Sequence, residues 1–324
     1  MSPTPGQHVL LARVARLFYL DELSKSDIAD RLGISRFRVA RLLETARREG
    51  IVSIRIESPA GVDTELSVQL QERFGLAHAV VIEHGGEDMP ELRRRLGQVA
   101  AGVLSEIVTA DDVLGLAWAR SLQGVGAAVR SIAACPVVQL TGALSGPDGS
   151  DVLELVRSVA QAGGGTPHVY YAPLVAPDAA SARVVLRQPD VARALELADR
   201  VTVAAVGIGA WEPGLSTIYD MVEPEAREQA SALGTIGEIS GALVGRDGHS
   251  ISGALSKRII GVTGDQLRRA GTVISVAYGR GKADAVRAAL RGGLVNGLVT
   301  HTELARALLV ADQRATEPAA ADAG

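Results

Sequence analysis

SKSDIADRLGISRFRVARLLETARREG, residues 24–50, is the stretch whose reading settles the N-terminal fold. Ser24 or Ser26 is placed to cap a helix, with Asp27 in its first turn and Ile28, Ala29 and Leu32 facing inward. Gly33 ends that helix, because the position needs left-handed backbone that glycine adopts at little cost. Ile34 packs inside the turn. Ser35 caps a second helix with Val39, Leu42, Leu43 and Ala46 at helical spacing, and Gly50 stops it. A helix, a short glycine turn and an arginine-rich helix make a helix-turn-helix, whose second helix lays its N-terminal side chains in the major groove. Lys25, Ser35, Arg36, Phe37, Arg38 and Arg41 are therefore the candidate contacts to double-stranded DNA. The planar fork of arginine suits guanine O6 and N7, or a phosphate. Arg47 and Arg48, at the far end, suit the DNA backbone or the helix dipole. The competing reading is a solvated basic helix in an ordinary bundle; Ala29, Gly33, Ile34 and Val39 at their joint offsets favour the DNA reader.

Working outward, Val9, Leu10, Ala12, Val14, Ala15, Leu17 and Phe18 predict a preceding amphipathic helix. The segment after Gly50, IVSIRIESP, alternates like a short strand or wing, and Pro59, Ala60 and Gly61 read as a hinge. This gives an all-α reader over 1–57 and a body over 58–315, followed by a tail, 316–324, expected to be disordered. The formal net charge is −4, but residues 1–57 hold ten Lys or Arg against seven Asp or Glu. A basic head on an acidic body is what one phosphate-binding domain would leave. Cys135 is the single cysteine, which excludes an internal disulfide and fits a reducing cytosol. Arg13 and Arg16 interrupt the one apolar N-terminal segment, and no other apolar run is long enough to span a bilayer, so the expectation is a cytoplasmic protein without membrane contact.

From Asp63 onward, helices alternate with short apolar strands: AVVIEH, DVLGLA, PVVQLTG, HVYYAPLVA, RVTVAAVGIG, ALVG and TVISVAYG. The pattern predicts an α/β body with a mostly parallel sheet covered on both faces. Ligands in such folds bind where strands end. The informative strand-ending loops are GLAWARSLQGV (115–125), LTGALSG (140–146), VGIGAWEPG (206–214) and AYGRGKADAVRAAL (277–290). Small residues at a helix start form an anion site to which Ser121 and Lys282 would add donors, although a glycine loop is more often only a turn. Gly207 and Gly209 lack the rest of the dinucleotide fingerprint, and no Walker-type loop is present. The histidines at 8, 78, 84, 168, 249 and 301 have no metal-ligand spacing. Neither a metal nor a cofactor is expected.

At this point SKSDIADRLGISRFRVARLL, LGLAWARSL, VVQLTGAL, VGIGAWEPGLS, GTIGEISGALVGRDGHSISGALSKRIIGV and VISVAYGRGKADAVRAALRGGLVNGLVT together carry a resemblance. The chain resembles, from about Leu11 to Leu309, the SorC family of bacterial sugar-binding transcriptional regulators, the type related to DeoR of Bacillus. The resemblance implies a DNA reader joined to an effector domain similar to sugar-phosphate isomerases. It implies a homotetramer or dimer, and a phosphorylated sugar or related metabolite as effector. Carried over by motif, the effector-binding residues would be Trp118, Arg120, Ser121, Gln139, Thr141, Gly142, Gly207, Gly209, Glu238, Asp247 and Lys282. The sequence departs from the pattern in four places. Thr141 stands where some relatives have a lysine, ALVGRDG lacks the usual aromatic, Tyr278 and Arg280 flank Lys282 in sequence, and His301 replaces a frequent Asp. The alternative is an isomerase-like enzyme with an added reader, using Glu238 or Asp247 as base, though no paired constellation supports it. A DNA-binding protein without effector response is the third reading.

Overall fold

The protein is described from a computed structural model over residues 5–52, 61–144 and 152–316. The chain divides into two compact units, Met1–Ser58 and Pro59–Gly324. The first consists of α1 (Pro5–Tyr19), α2 (Lys25–Leu32) and α3 (Arg36–Arg48). Val14, Leu17, Ile28, Ala29, Val39 and Leu43 form its core, so each helix turns one apolar stripe inward. On α1 the stripe sits slightly differently from the expected one: Leu11 is buried, whereas Val9 and Ala12 are exposed. Ile51 and Val52 pack beside Leu11, Ala15 and Ala46. Most of the expected wing, the first two hinge residues, the boundary at 57/58 and the tail beyond residue 316 lie outside the described residues.

The second unit opens with α4 (Thr64–Phe74), β1 (His78–Ile82), α5 (Met89–Ile107), β2 (Leu114–Leu116), α6 (Gln123–Ala128), β3 (Val137–Gln139) and α7 (Val152–Gly163). It continues through β4 (Pro167–His168), α8 (Ala179–Leu186), α9 (Pro189–Ala198), β5 (Val203–Ala210), α10 (Thr217–Met221) and α11 (Pro224–Ala232). The last part comprises β6 (Thr235–Ile239), β7 (Ala242–Gly245), α12 (Gly264–Arg269), β8 (Thr272–Val276), α13 (Ala283–Arg291), β9 (Gly297–His301) and α14 (Thr302–Thr316).

Seven strands pair in parallel in the order β1-β9-β8-β5-β2-β3-β4. The strands β2, β3, β5, β8 and β9 are buried almost throughout, as their continuous apolar runs require when both faces are covered. One face packs against α4, α13 and α14, the other against α5, α6 and α7. From β2 the chain moves outward to β3 and β4; from β5 it moves the other way, to β8 and β9. The direction of winding therefore changes between β2 and β5, and a crevice is expected at their carboxyl ends.

Two features depart from the sequence expectation. HVYYAPLVA does not form one strand: beyond His168 the chain makes only isolated bridges, Ala143 with Pro173 and Val175 with Ile259. Pro173 has no N–H to give a ladder, and the Tyr170 N–H is taken by the Gln139 side chain. The hairpin β6–β7 also adds an antiparallel extension to the end of β5, with Ile208, Gly209 and Ala210 facing Ile239, Glu238 and Gly237.

Candidate functional site

In the first unit, Ser24 and Asp27 form a reciprocal capping box, each side chain accepting the other's backbone N–H. Gly33 closes α2 at φ 63°, and Ser35 Oγ accepts the Arg38 N–H to start α3. The result is a fixed helix with Arg36, Phe37, Arg38 and Arg41 exposed at its beginning. Phe37 is 85% exposed, an apolar ring held in water where a partner surface would cover it. Lys25 behaves differently: it is half-buried, with Nζ 5.8 Å from the Phe18 ring centroid. Arg47 is occupied within the unit, its Nε donating to the Tyr19 hydroxyl at 2.8 Å.

In the second unit a cavity of about 280 Å³ opens at the expected switch point. All four strand-ending loops reach it: Trp118, Ala119, Arg120 and Ser121 after β2, Leu144 after β3, Gly207 to Gly209 and Gly214 to Ile218 at and after β5, and Tyr278, Gly279 and Lys282 after β8. Two further walls come from Glu238, Ser240 and Gly241 of the β6–β7 hairpin and from Met89 and Arg93 of α5. The glycines explain the close approach. A Cβ on Gly207 would lie 2.4 Å from the Ala119 Cβ, and one on Gly209 would lie 2.3 Å from Glu238 Oε1. The hairpin turn has positive φ at both central residues, Ser240 (50°) and Gly241 (96°), the tight geometry that matches strand twist.

The charges in this cavity are unequal. Glu238 is 9% exposed; it accepts from the Gly241 N–H at 3.0 Å and the Ser216 hydroxyl at 3.2 Å. Burial nonetheless raises its carboxyl above the usual range, against the pull of those donors and of Lys282. Lys282 donates to the Ile208 carbonyl at 2.9 Å. Its ammonium is pushed down to about 8, first by burial and then by the nearby charges of Arg120 and Arg93, with Glu238 opposing. Arg93 lies 5.4 Å from the Tyr278 ring centroid and Lys282 5.1 Å from the same centroid. Arg93 Nε and Ser240 Oγ are buried and have no hydrogen-bond partner among the described residues.

Not every expected effector residue lines the cavity. Gln139 and Thr141 are fully buried in structural roles: Gln139 bridges the Tyr170 N–H and the Thr141 carbonyl, and Thr141 Oγ1 accepts the Trp118 N–H. Gly142 is packed under the chain at Pro173, where a Cβ would meet a carbonyl oxygen at 2.3 Å. Asp247 lies in the exposed turn after β7, paired with His249 at 3.1 Å, because an aspartate there closes the turn by accepting the His249 N–H. Of the described residues of the loop LTGALSG, Leu144 alone reaches the cavity.

Arg93, Met89, Ser216 and Ser240 were not legible as site residues. Arg93 stands in the run Arg93-Arg94-Arg95, which reads as a solvated face. In the fold Arg94 pairs with Glu91 and Arg95 with Glu87, and only Arg93 faces the cavity. Folding also brings together His84, His301 and Glu303, which have no motif spacing. The Gly279 N–H donates to His301 Nε2 at 2.9 Å, so the ring proton sits on Nδ1, and a protonated nitrogen cannot ligate a metal.

Comparison with known proteins agrees with this fold. The family described as "Putative sugar-binding domain" matches residues 58–310. The transcriptional regulator LsrR of Klebsiella pneumoniae is 33% identical over 314 residues, covering 94% of each chain. LsrR of Escherichia coli K12 is 30% identical over 303 residues, covering 92% of this chain and 94% of its own. Among solved structures, the full-length sorbitol operon regulator SorC from Klebsiella pneumoniae superposes with a TM-score of 0.72 at 25% identity, covering 95% of this chain and all of that one. A domain from Arthrobacter aurescens TC1 described as that of "a possible sugar-binding transcriptional regulator" shares the fold, with a TM-score of 0.69 at 23% identity, covering 78% of this chain and all of that one.

With relatives that are transcriptional regulators over more than nine-tenths of its length, the chain is a DNA-binding transcription regulator with a sugar-binding domain. More particularly, the chain belongs to the sugar-binding-domain family of SorC-type regulators.

Proposed function

We propose that this regulator changes its affinity for operator DNA when a small phosphorylated sugar or polyol binds in the cavity between β2, β5 and β8. The observation that carries the reading is the convergence there of Arg120, Ser121 and Lys282 on glycine-rich loops, facing the protonation-prone carboxyl of Glu238. Ser121 and the loop amides would hold the phosphate, with Arg120 and Lys282 supplying charge. Glu238 and Ser240 would meet hydroxyl groups, and Trp118 would cover the sugar. Gly207 and Gly209 leave the room. On DNA, Ser35, Arg36, Phe37, Arg38 and Arg41 would enter the major groove, with Lys25 on a phosphate. Assembly as a dimer or tetramer would place reader heads on half-sites about 34 Å apart or at multiples of that spacing. A DNA-binding role would fit a cytoplasmic location.

The test is a thermal-shift panel of phosphorylated sugars and polyols on the full chain, followed by operator binding with and without each hit. A compound that raises the melting temperature and alters operator release supports the reading. Lys282→Ala should lose the shift while keeping operator binding. A panel with no response, or a response unaltered in Lys282→Ala, overturns it.

A further inference from the structure

The cavity is lined by more positive charge than one phosphate requires. Among the described residues, Arg93, Arg120 and Lys282 face one carboxyl, Glu238, which burial biases toward its neutral form. A phosphomonoester carries about −1.5 to −2 at neutral pH, which leaves roughly one cation without an anionic partner. Arg93 is the one left over by geometry. It enters from α5, on a different wall from the loops that hold Ser121 and Lys282. Its guanidinium rests against the Tyr278 ring, and its Nε is buried with no hydrogen-bond partner among the described residues. A buried donor left unpaired costs stability until a ligand atom meets it. Its neighbours Arg94 and Arg95 both have carboxylate partners, so the lack of one at Arg93 is local to the cavity.

We propose that Arg93 holds a second acidic group of the effector, so that the natural ligand carries a further phosphate or a carboxylate besides its first phosphate. The inference rests on the phosphorylated-effector reading and deepens it. The Arg93 fork is suited to a two-oxygen contact with either group, and the Tyr278 ring keeps it in place before the ligand arrives. Arg93 is then a specificity-determining residue: it selects by charge number, whereas Arg120 and Ser121 select for phosphate as such.

The test uses calorimetric titration of the full chain at fixed ionic strength with two matched pairs of probes. One pair is fructose 6-phosphate and fructose 1,6-bisphosphate; the other is glycerol 3-phosphate and 3-phosphoglycerate. In the native chain the two-acid member of at least one pair should bind about tenfold or more tightly than its partner. Arg93→Met should bring that ratio close to one with little change for the one-acid member, and Arg93→Lys should keep part of it. A ratio near one in both pairs of the native chain overturns the proposal, and so does a ratio that survives in Arg93→Met. Equal weakening of both members in Arg93→Met assigns the residue a packing role and likewise overturns it. Should Arg93→Met fail to fold, Arg93→Gln takes its place: loss of the preference with intact one-acid binding supports the proposal, and an unchanged preference overturns it. Absence of binding by all four probes removes the phosphorylated-effector reading itself, a result distinct from binding without discrimination.

Discussion

At the scale of single residues, the two sites show opposite uses of charge. At the start of α3, Arg36, Arg38 and Arg41 stay in water, where their charge costs nothing to keep. Arg38 follows the capping serine and is exposed at the start of the helix. Arg38→Ala should weaken specific operator binding by about 1–3 kcal/mol if it meets a base edge, with smaller effect on unrelated DNA. Fluorescence anisotropy on both sequences measures this, and an unchanged preference would remove Arg38 from base readout. In the cavity, by contrast, Lys282 pays for its burial with a proton affinity lowered to about 8. An anion bound beside it reverses that, since the charged form regains a partner. Effector binding at about pH 8.5–9 should therefore draw a proton from solution, seen as a binding enthalpy that depends on the buffer's ionisation enthalpy. The uptake should shrink toward neutral pH, where the lysine already carries its proton; an uptake that does not change between about pH 7 and 9 would assign it to another group.

Among the elements, what the sequence reveals depends on whether the signal is local. The reader helices are legible because capping serines and Gly33 act within a few residues. The strands β2, β3, β5 and β8 are legible because parallel strands buried on both faces are apolar in an unbroken run. HVYYAPLVA misleads because it has strand composition but carries Pro173, and its hydrogen bonds go to a side chain and to isolated bridges. Side-chain direction is the part least visible. Gln139 and Thr141 end a strand at the correct edge, yet both turn toward neighbouring backbone. Arg93 hides because three arginines in a row meet three different surroundings at helical spacing. Packing of α5 against α6 is similarly non-local. A Cβ on Gly97 would come within 2.7 Å of the Gly124 Cα, whereas one on Gly102 of the same helix meets nothing within 4 Å. Gly97→Ala should lose about 1–3 kcal/mol by overpacking. Gly102→Ala should be neutral or gain about 0.5–1 kcal/mol from helix propensity. Urea denaturation of the pair checks this; equal effects would mean that α5 and α6 are not in backbone contact.

For the whole molecule, stability has a pH dependence built in at the edge of the sheet. His301 is 1% exposed at the end of β9, accepts the Gly279 N–H, and faces His84, Glu303 and Glu87. Burial, aided by His84, holds it below its ordinary value of 6.5, with Glu303 and Glu87 opposing. A depressed histidine contributes stability that is present above about pH 6.5 and is lost as the pH falls through its lower folded value. Protonation would also break the bond to Gly279, which lines the cavity. His301→Gln, which keeps an acceptor but does not titrate, should flatten the loss of melting temperature between pH 7 and 5 that the native protein shows. An identical slope in both proteins would place the sensitivity elsewhere. Cys135, the one thiol, carries a different consequence. It is 3% exposed within the core beside α7, and burial pushes its thiol up. Alkylating reagents meet it only when that layer opens, so its labelling rate times the opening of the sheet from within. Because a ligand held by the closed state makes opening rarer, the same rate becomes a gauge of effector occupancy that needs no engineered cysteine.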